Sequence, residues 1–542
     1  MYQCPNCGGQ LRFNIPTQQL ACENCRSEFD PYQISKEKDA EEESFYDVTV
    51  FKCPQCGGEI VSSDNTAANF CTFCGASTVL TSNLRKEKRP GYIIPFTKTK
   101  EDCKKAYAKH MRRAWFAQKE LKDSRFIDSF RGIYMPYWAY HITEEGPVSL
   151  SASRSYRRGD YIITDKYSVT GDINSSYKGI SYDASSSFDD QLSQSIAPYD
   201  VRNMNRFTPS YLCGFYADTA DVEPDTYTPD AIDIAATKTY DYVKTRPELG
   251  AVSLDETAAS AKMKFNPKCK AADGAMFPVW FMSYRNKDRV AYATVNGQTG
   301  KVVADMPVSI SKYIISSLIL AIPVFMLLNA FLTLLPSTTL GLSAIVAALV
   351  CFLYSSELNQ IMNRDMPDFP DSKQSGRYNG NGRTNDGTVY YNTPGQNSYN
   401  RKNKSRKKKN SSGAGALVVI IFAFVFIMFS FLTADIDNSG IFRLTTYVAV
   451  ILAIAGSAAS IKPYSVVTGR HMPATFITMA AVIIAAVVQF TAPVSDLFYY
   501  AGTILCLAAV IILLLGVIKY YNVLSTRKLP QFSNYSGGDD RA

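Results

Sequence analysis

The feature that most constrains this chain is a pair of cysteine quartets near its N-terminus. The quartets are Cys4, Cys7, Cys22 and Cys25, and then Cys53, Cys56, Cys71 and Cys74. Each cysteine of the first quartet recurs 49 positions later, and both quartets have 14 residues between their inner cysteines. This regular spacing indicates a tandem duplication of one small unit.

The spacing within each quartet is typical of a metal site. Two cysteines three positions apart on a tight turn can direct both thiolates at one ion, and Gly8-Gly9 and Gly57-Gly58 supply the backbone freedom that such a turn needs. Two turns joined by a short hairpin complete a closed tetrahedral shell of four thiolates. Since so short a unit cannot bury a sufficient core, the metal would supply much of its folding energy. We expect one Zn²⁺ per quartet, two per chain, at sites that are not catalytic.

Two other chemistries use the same ligands and stay open. A rubredoxin-like iron centre also takes four thiolates, and a disulfide framework would pair the cysteines covalently. No signal peptide precedes Cys4, so we expect a reducing compartment, which disfavours disulfides.

The remaining cysteines are isolated and are expected to be inert: Cys103, Cys213, Cys269, Cys351 and Cys506.

The C-terminal half of the 542-residue chain contains long stretches without charge. These stretches predict about six membrane-spanning helices, because each approaches the roughly 20 apolar residues that cross the hydrocarbon core. The candidates are Tyr313–Leu335, Thr339–Ser356, Ala414–Ala434, Leu444–Ile461, Pro473–Phe490 and Leu497–Ile518. No Asp, Glu, Lys or Arg lies inside them, which speaks against a transport pathway. Gln489 is the most polar interior side chain, and we interpret it as a packing contact.

Charges outside these stretches predict the orientation. Residues Arg401–Lys409 include seven basic residues of nine, on the same side of the membrane as Lys312, Lys462 and Lys519. Arg443 is the exception. The positive-inside rule therefore predicts a multi-pass cell-membrane protein with both termini in the cytoplasm. The same basic cluster also favours contact with anionic lipid headgroups.

The chain divides into the following predicted units: 1–35, zinc ribbon 1; 48–82, zinc ribbon 2; 90–308, a cytoplasmic α+β region; 313–356, a two-span hairpin; 358–412, a disordered basic cytoplasmic linker; 413–519, a four-span bundle; and 520–542, a cytoplasmic tail. The fold class is thus multidomain.

The α+β region shows a weaker second repeat. Thr99 opens a helix through a capping box with Asp102, and Thr228 with Pro229 opens another. A β-like stretch follows each helix, Met-Pro-Tyr-Trp at 135 in the first and Phe-Pro-Val-Trp at 277 in the second. We therefore consider repeat units at 90–225 and 226–308, with the tryptophans as core anchors rather than ligand stackers.

The sequence contains none of the common catalytic or nucleotide-binding motifs, and it has only three histidines. The acidic pairs Glu144-Glu145 and Asp189-Asp190 are interpreted as solvated loop residues, and His141 as a structural histidine. We expect no catalytic residue and no organic cofactor.

The quartets, each with a Cys-Pro-x-Cys-Gly-Gly turn, resemble zinc ribbons such as those of transcription factors and primosomal proteins. The order of ribbons, α+β region with Pro278-Val-Trp-Phe281, and membrane spans is similar to a bacterial family of tandem zinc-ribbon membrane proteins. Some members are encoded beside phage-shock-protein-A and flotillin-type proteins. The resemblance therefore implies a membrane anchor or scaffold in the envelope-stress response, with proteins of those kinds as partners.

Three function classes follow. The first is a non-enzymatic integral membrane scaffold whose cytoplasmic modules recruit protein partners. The alternative is a membrane-tethered nucleic-acid binder, which a net charge of only +8 does not favour. The third is a transporter or channel.

Overall fold

Strands dominate the first part of the chain and long helices the second. The computed structural model describes residues 2–36, 45–62, 71–78, 80–185, 187–188, 190–250, 252–331, 335–365, 381–383, 389–391, 439–468 and 473–530. The helices are α1 Pro31–Lys36, α2 Lys100–Arg113, α3 Ser124–Ile127, α4 Asp190–Ile196, α5 Thr228–Lys244, α6 Ala258–Phe265, α7 Ile310–Phe331, α8 Pro336–Asp365, α9 Ser439–Thr468, α10 Thr475–Thr491 and α11 Asp496–Leu524. The strands are β1 Leu11–Asn14, β2 Gln19–Cys22, β3 Glu28–Phe29, β4 Phe45–Lys52, β5 Glu59–Ser62, β6 Thr81–Lys88, β7 Tyr92–Ile93, β8 Arg131–Arg158, β9 Tyr161–Asp183, β10 Asn205–Arg206, β11 Tyr216–Ala217, β12 Ser253–Leu254, β13 Pro267–Asn286, β14 Arg289–Asn296, β15 Val302–Ala304, β16 Asn381–Arg383, β17 Val389–Tyr391 and β18 Arg527–Lys528. The expected α+β region and C-terminal helices are both confirmed.

One 13-stranded sheet joins regions that the sequence treats as separate units. Its main path runs β10-β7-β13-β8-β11-β5-β4-β6, and β9, β12, β14, β15 and β18 pair with strands of that path or with one another. Strands β4, β5 and β6 surround the second cysteine quartet, and β8 and β13 come from the two predicted repeat units. The first quartet has its own three-stranded sheet, β1-β2-β3.

The two Pro-containing motifs pair directly with each other at the centre of this sheet. Strands β8 and β13 are antiparallel, with Met135 opposite Phe277. The register also places each tryptophan opposite a glycine, Trp138 opposite Gly274 and Trp280 opposite Gly132. This approximate two-fold arrangement is what a duplicated unit would produce, although the repeat boundaries themselves stay a prediction.

Local sequence signals explain the starts of the two helices to different degrees. The predicted capping box of α2 is confirmed: the Thr99 side chain accepts from the backbone N–H of Asp102, and the Asp102 side chain accepts from that of Thr99. Helix α5, in contrast, begins at Thr228 itself, and the cap residue is Tyr227. The Thr228 hydroxyl instead donates to the Pro224 carbonyl, at 3.2 Å.

A long hairpin, β8–β9, was only partly predicted. The sequence indicated a strand at 132–140, whereas β8 has 28 residues and β9 has 23. Isoleucine, valine, threonine and tyrosine recur along both strands and favour extended backbone. Gly159, with φ +63°, provides the left-handed residue of the two-residue turn at the tip. The end of the hairpin, residues 154–166, carries mostly exposed side chains and is here called the arm.

The expectation of six spans is not supported. Within the described ranges, three helices are long and apolar enough to cross a membrane: Pro336–Ile361, Thr446–Ser465 and Asp496–Leu524. Helix α10 has 17 residues, so it rises about 25 Å and falls short of a core of about 30 Å. In α7 the described side chains form an apolar stretch over Ile310–Leu320, which is shorter than the three candidate spans. Candidate Ala414–Ala434 and the cluster Arg401–Lys409 lie outside the described residues.

Helices α8 to α11 pack into one bundle around a shared buried cluster. Polar side chains join the helices within it, as packing in an apolar environment favours. Gln489 of α10 donates to the Ser337 carbonyl at 2.7 Å, and Ser460 of α9 hydrogen-bonds Thr475 of α10 at 2.7 Å. Helix α8 therefore packs with the later helices, and it continues to Asp365 into the predicted linker.

The sheet is tied directly to the ends of the long helices. Strand β18, which follows α11, pairs with β14. The Arg289 guanidinium donates to the carbonyls of Val523 and Thr526 at 2.6 and 2.7 Å. The Asn522 side chain exchanges hydrogen bonds of 2.7 and 2.8 Å with the backbone of Val308, just before α7. The sheet and the helix ends are therefore held together by several hydrogen bonds.

Candidate metal centres

Four turns of the same construction carry the eight cysteines. In each turn the N–H of the first cysteine donates to the carbonyl five residues later, with N–O distances of 2.7 to 2.9 Å. The N–H of the residue four positions after that cysteine donates back to the cysteine carbonyl, at 2.8 to 3.0 Å. That fourth residue has a positive φ in every turn, and it is Gly8, Arg26, Gly57 or Gly75. The repeated turn explains why glycine follows three of the four pairs.

These turns bring each quartet together. The Sγ atoms of Cys4 and Cys25 lie 3.5 Å apart, as do those of Cys7 and Cys22. In the second quartet, the Sγ distance is 3.8 Å for Cys53 and Cys74 and 3.6 Å for Cys56 and Cys71. Within each quartet all four sulfur atoms lie within 4.8 Å of one another.

The sulfur spacing fits a tetrahedral metal shell. Thiolates at about 2.3 Å from a zinc ion would be separated by about 3.8 Å along each tetrahedral edge. A disulfide requires a separation of about 2.05 Å, far shorter than any of these distances, and all eight thiols are free. Each quartet can therefore hold one metal ion.

The first site is half open to solvent. Cys4 and Cys22 are buried, whereas Cys7 and Cys25 are exposed. The Ser27 hydroxyl lies 3.3 Å from Cys25 Sγ and stabilises the thiolate, which lowers the pKa of Cys25 to about 6. A Cβ atom at Gly9 would lie 3.1 Å from Cys22 Sγ, so this glycine leaves room for the sulfur. The exposed edge makes the first site accessible to a chelator or a partner.

The second site is enclosed. All four of its cysteines are buried, in a cluster with Phe51, Ile60, Phe73 and Leu80. The Tyr292 hydroxyl of β14 donates to the Phe73 carbonyl at 2.9 Å, so the central sheet covers one side of the site. A metal here would be shielded by the same core that it helps to organise.

The first quartet is also docked on the α+β region. The N–H of Phe13 donates to the Cys213 carbonyl at 2.9 Å, and the Gln18 side chain donates to the Phe96 carbonyl at 2.9 Å. Leu11, Phe13 and Leu20 belong to the same buried cluster as the core around Phe96. Sequence reasoning missed this docking, since no motif signals it.

In the described part of the chain, the cysteines outside the quartets belong to no group of three or more potential metal ligands. Cys103, Cys213, Cys351 and Cys506 are buried and Cys269 is partly buried. Burial raises the pKa of Cys103, which keeps this thiol protonated. Their expected inertness stays a prediction.

Glu144 was wrongly interpreted as a solvated loop residue. It lies within β8 and is completely buried. The hydroxyls of Ser175 and Thr239 donate to its Oε2 atom, whereas in the described part of the chain Oε1 has no hydrogen-bond partner. A sequence containing Glu144-Glu145 gives no signal of this burial, because the neighbours come from β9 and α5.

Asp218 is a second buried carboxyl that the sequence did not single out. It follows β11 and accepts hydrogen bonds from the hydroxyls of Ser185 and Ser187. Burial raises the pKa of Asp218 to about 7 despite these hydrogen bonds. We assign this carboxyl no catalytic role.

Comparison with known proteins gives a relative of unassigned function. The chain is 28% identical over 316 residues to YdjG of Bacillus subtilis (strain 168), which is described only as an uncharacterized protein. The aligned part covers 57% of this chain and 91% of that protein. No family model matches the chain, and no solved structure matches it.

Proposed function

We propose that the chain is a non-enzymatic integral membrane scaffold whose two zinc-binding modules and α+β sheet recruit protein partners to the cytoplasmic membrane surface. Both termini would be cytoplasmic in this arrangement. Zinc is the proposed metal because closed shells of four thiolates are typical of structural zinc sites. A role in the envelope-stress response, with phage-shock-protein-A or flotillin-like partners, rests on the family resemblance alone.

The observation that carries the proposal is the continuity from the second metal site to the helix ends. From β5 the sheet continues through β11, β8, β13 and β14 to β18, which follows α11. The hydrogen bonds of Arg289 and Asn522 fix the same edge to the helices. A metal in the second site would therefore stiffen a platform that is fixed to the membrane, which is what a scaffold requires.

The arm formed by β8 and β9 offers this platform a surface for partners. Tyr161 and Ile162, at the tip, are 78% and 77% exposed. Exposed apolar side chains of this kind are typical of protein contact sites. Arg157 and Arg158 lie across the hairpin from these two residues.

The same tip favours nucleic-acid binding as the second candidate. Tyrosines interleaved with arginines combine stacking surfaces with positive charge. Asp160 lies in the turn between the two strands and weakens the attraction to phosphate, so we rank this candidate below protein binding.

The test is a crosslinked pull-down with the full chain, in its native membrane and after nuclease treatment. The scaffold predicts partner proteins that survive the nuclease and are lost in a Tyr161→Ser/Ile162→Ser variant. Met263→Ser is the matched control, because Met263 is 75% exposed but lies on α6. Partners that disappear with nuclease would favour the nucleic-acid binder, and capture that both variants leave unchanged would refute the arm as the docking surface.

The role of the metal in recruitment needs a separate comparison. Cys7→Ser removes an exposed ligand of the first site, and Cys269→Ser replaces a thiol outside both quartets. We expect loss of metal and of partners only in the first variant. Elemental analysis of the full chain should give two zinc ions, and iron in their place would refute the choice of metal.

A further inference from the structure

An exposed aromatic segment lies beside the start of α7. Trp115 is 80% exposed and Phe116 is 40% exposed, in the segment that follows α2. The other two tryptophans differ, since Trp138 and Trp280 donate their indole N–H groups to the carbonyls of Val222 and Lys98. Trp115 thus presents a large apolar ring outward, in a chain that buries its other tryptophans at least partly.

Hydrogen bonds fix this segment to the residues that lead into α7. The N–H of Ser309 donates to the Phe116 carbonyl at 2.8 Å, and Ala117 forms a β-bridge with Val308. The Lys312 ammonium donates to the Ala117 carbonyl at 2.6 Å. The segment therefore keeps a defined position relative to the first turn of α7.

That position coincides with the end of a candidate membrane span. Val308 hydrogen-bonds Asn522, which lies two residues before the end of α11. The Phe116 ring lies 5.5 Å from the Tyr313 ring on the first turn of α7, where Ile310 and Ile314 are each 41% exposed. Exposed apolar side chains at the start of α7 thus lie beside the aromatic segment.

Basic residues flank the aromatic pair along the chain. Arg112 and Arg113 precede it at the end of α2, and Lys119 and Lys122 follow it, all exposed. Glu120 is the acidic residue in this stretch. An excess of positive charge at the level where the candidate span α11 ends complements a surface of anionic lipid headgroups.

We propose that residues 112–119, here called the interfacial loop, bind the anionic surface of the cytoplasmic leaflet and insert Trp115 and Phe116 at headgroup level. Tryptophan is enriched at this depth because its ring is amphipathic. The arginines pair with lipid phosphates, and the backbone bonds to residues 307–309 set the depth. The loop thereby holds the sheet against the membrane independently of the basic cluster at Arg401–Lys409. The inference rests on insertion of α11 as a span.

Tryptophan fluorescence of the full chain in vesicles tests this contact. Phospholipids brominated near the headgroup end of their acyl chains should quench the wild-type emission, and Trp115→Phe should remove more than half of that quenching. In the Trp115→Phe background, Tyr161→Trp places a control tryptophan on the arm tip, where iodide should quench it and the brominated lipid should not. The exposure of both residues makes these variants compatible with folding.

Lipid composition tests the charge requirement. Vesicles containing phosphatidylglycerol should quench Trp115 at least twofold more than vesicles of phosphatidylcholine alone, and Arg112→Gln/Arg113→Gln should abolish the difference. Resistance of the chain to alkaline extraction shows separately that its helices are inserted. If extraction leaves the chain in place while iodide, but not bromine, quenches Trp115, the loop lies in water and the proposal is overturned. Protection from both quenchers would mean that protein covers the loop, which also overturns it.

Discussion

Chelator-driven release should separate the two metal sites kinetically. The first site needs no opening, because Cys7 and Cys25 are already exposed. The second site cannot be reached until its apolar cover opens. That cover consists of Phe51, Ile60, Phe73 and Leu80, which are 4%, 2%, 1% and 4% exposed.

The expected ratio of the two release rates follows from the free energy needed to open this cover. Exposing four large apolar side chains at about 1.5 kcal/mol each costs roughly 6 kcal/mol. Since each 1.4 kcal/mol changes a population tenfold, the open form of the second site is rarer by about four orders of magnitude. We therefore expect one metal equivalent to leave fast and the other at least 100-fold more slowly, after allowing for partial opening.

The assay uses the full chain, loaded with metal in detergent and mixed with an excess of a colorimetric chelator. Cys7→Ser should remove the fast phase alone. Phe73→Ala should accelerate the slow phase at least tenfold and leave the fast phase unchanged, because it removes part of the cover without removing a ligand. Release of both ions in one phase, or loss of the slow phase in Cys7→Ser, would refute the reasoning.

Three further changes test individual features. Arg26 has a left-handed backbone (φ +60°) at the position that glycine occupies in the other three turns. Arg26→Gly should relieve this strain by about 1 kcal/mol and so raise the metal affinity of the first site about fivefold. An unchanged affinity in a competition titration would contradict this. Trp280→Phe should lower the free energy of unfolding by about 2 kcal/mol and Trp138→Phe by about 1 kcal/mol. Each substitution leaves a carbonyl without its indole donor, and Trp280 is the more buried of the two. Equal shifts in the thermal unfolding midpoint would count against this ranking. The pKa of Asp218 is about 7 in the folded protein and about 3.9 in the unfolded chain, so between these pH values the folded state retains a proton that the unfolded state releases. The free energy of unfolding therefore falls as pH rises from about 4 to about 7, by up to about 4 kcal/mol. Asp218→Asn should flatten this slope in thermal unfolding measured across that range, and a persisting slope would assign it to other groups.

The sequence predicted best what depends on neighbours along the chain. The capping box at Thr99 and the closure of each quartet involve residues close enough in sequence for spacing alone to specify them. Helix identity in the second half was equally clear, since uninterrupted apolar runs exclude most alternatives. Six spans are not supported among the described residues, because apolar length alone does not say where a helix ends, and the apolar stretch of α10 is only 17 residues long.

Contacts between residues that lie far apart in the sequence could not be predicted from local sequence patterns. The acidic pair at Glu144 gave no sign of burial, because β9 and α5 supply its hydroxyl partners. The continuation of β8 to Arg158 depends on β9 pairing along its length, which a moderately polar sequence does not signal. The position of the interfacial loop depends in the same way on its bonds to residues 307–309.

The sequence by itself determined that this chain carries two equivalent four-cysteine units and an apolar helical half, because ligand spacing and hydrophobic length are local properties. The tertiary structure alone decided that the two units differ. The first quartet docks by one face and leaves Cys7 and Cys25 exposed, whereas the second enters the central sheet and is buried beneath Tyr292 and Phe73. The two quartets have identical cysteine spacing but lie in different environments, because the burial of each quartet depends on which other parts of the chain pack against it.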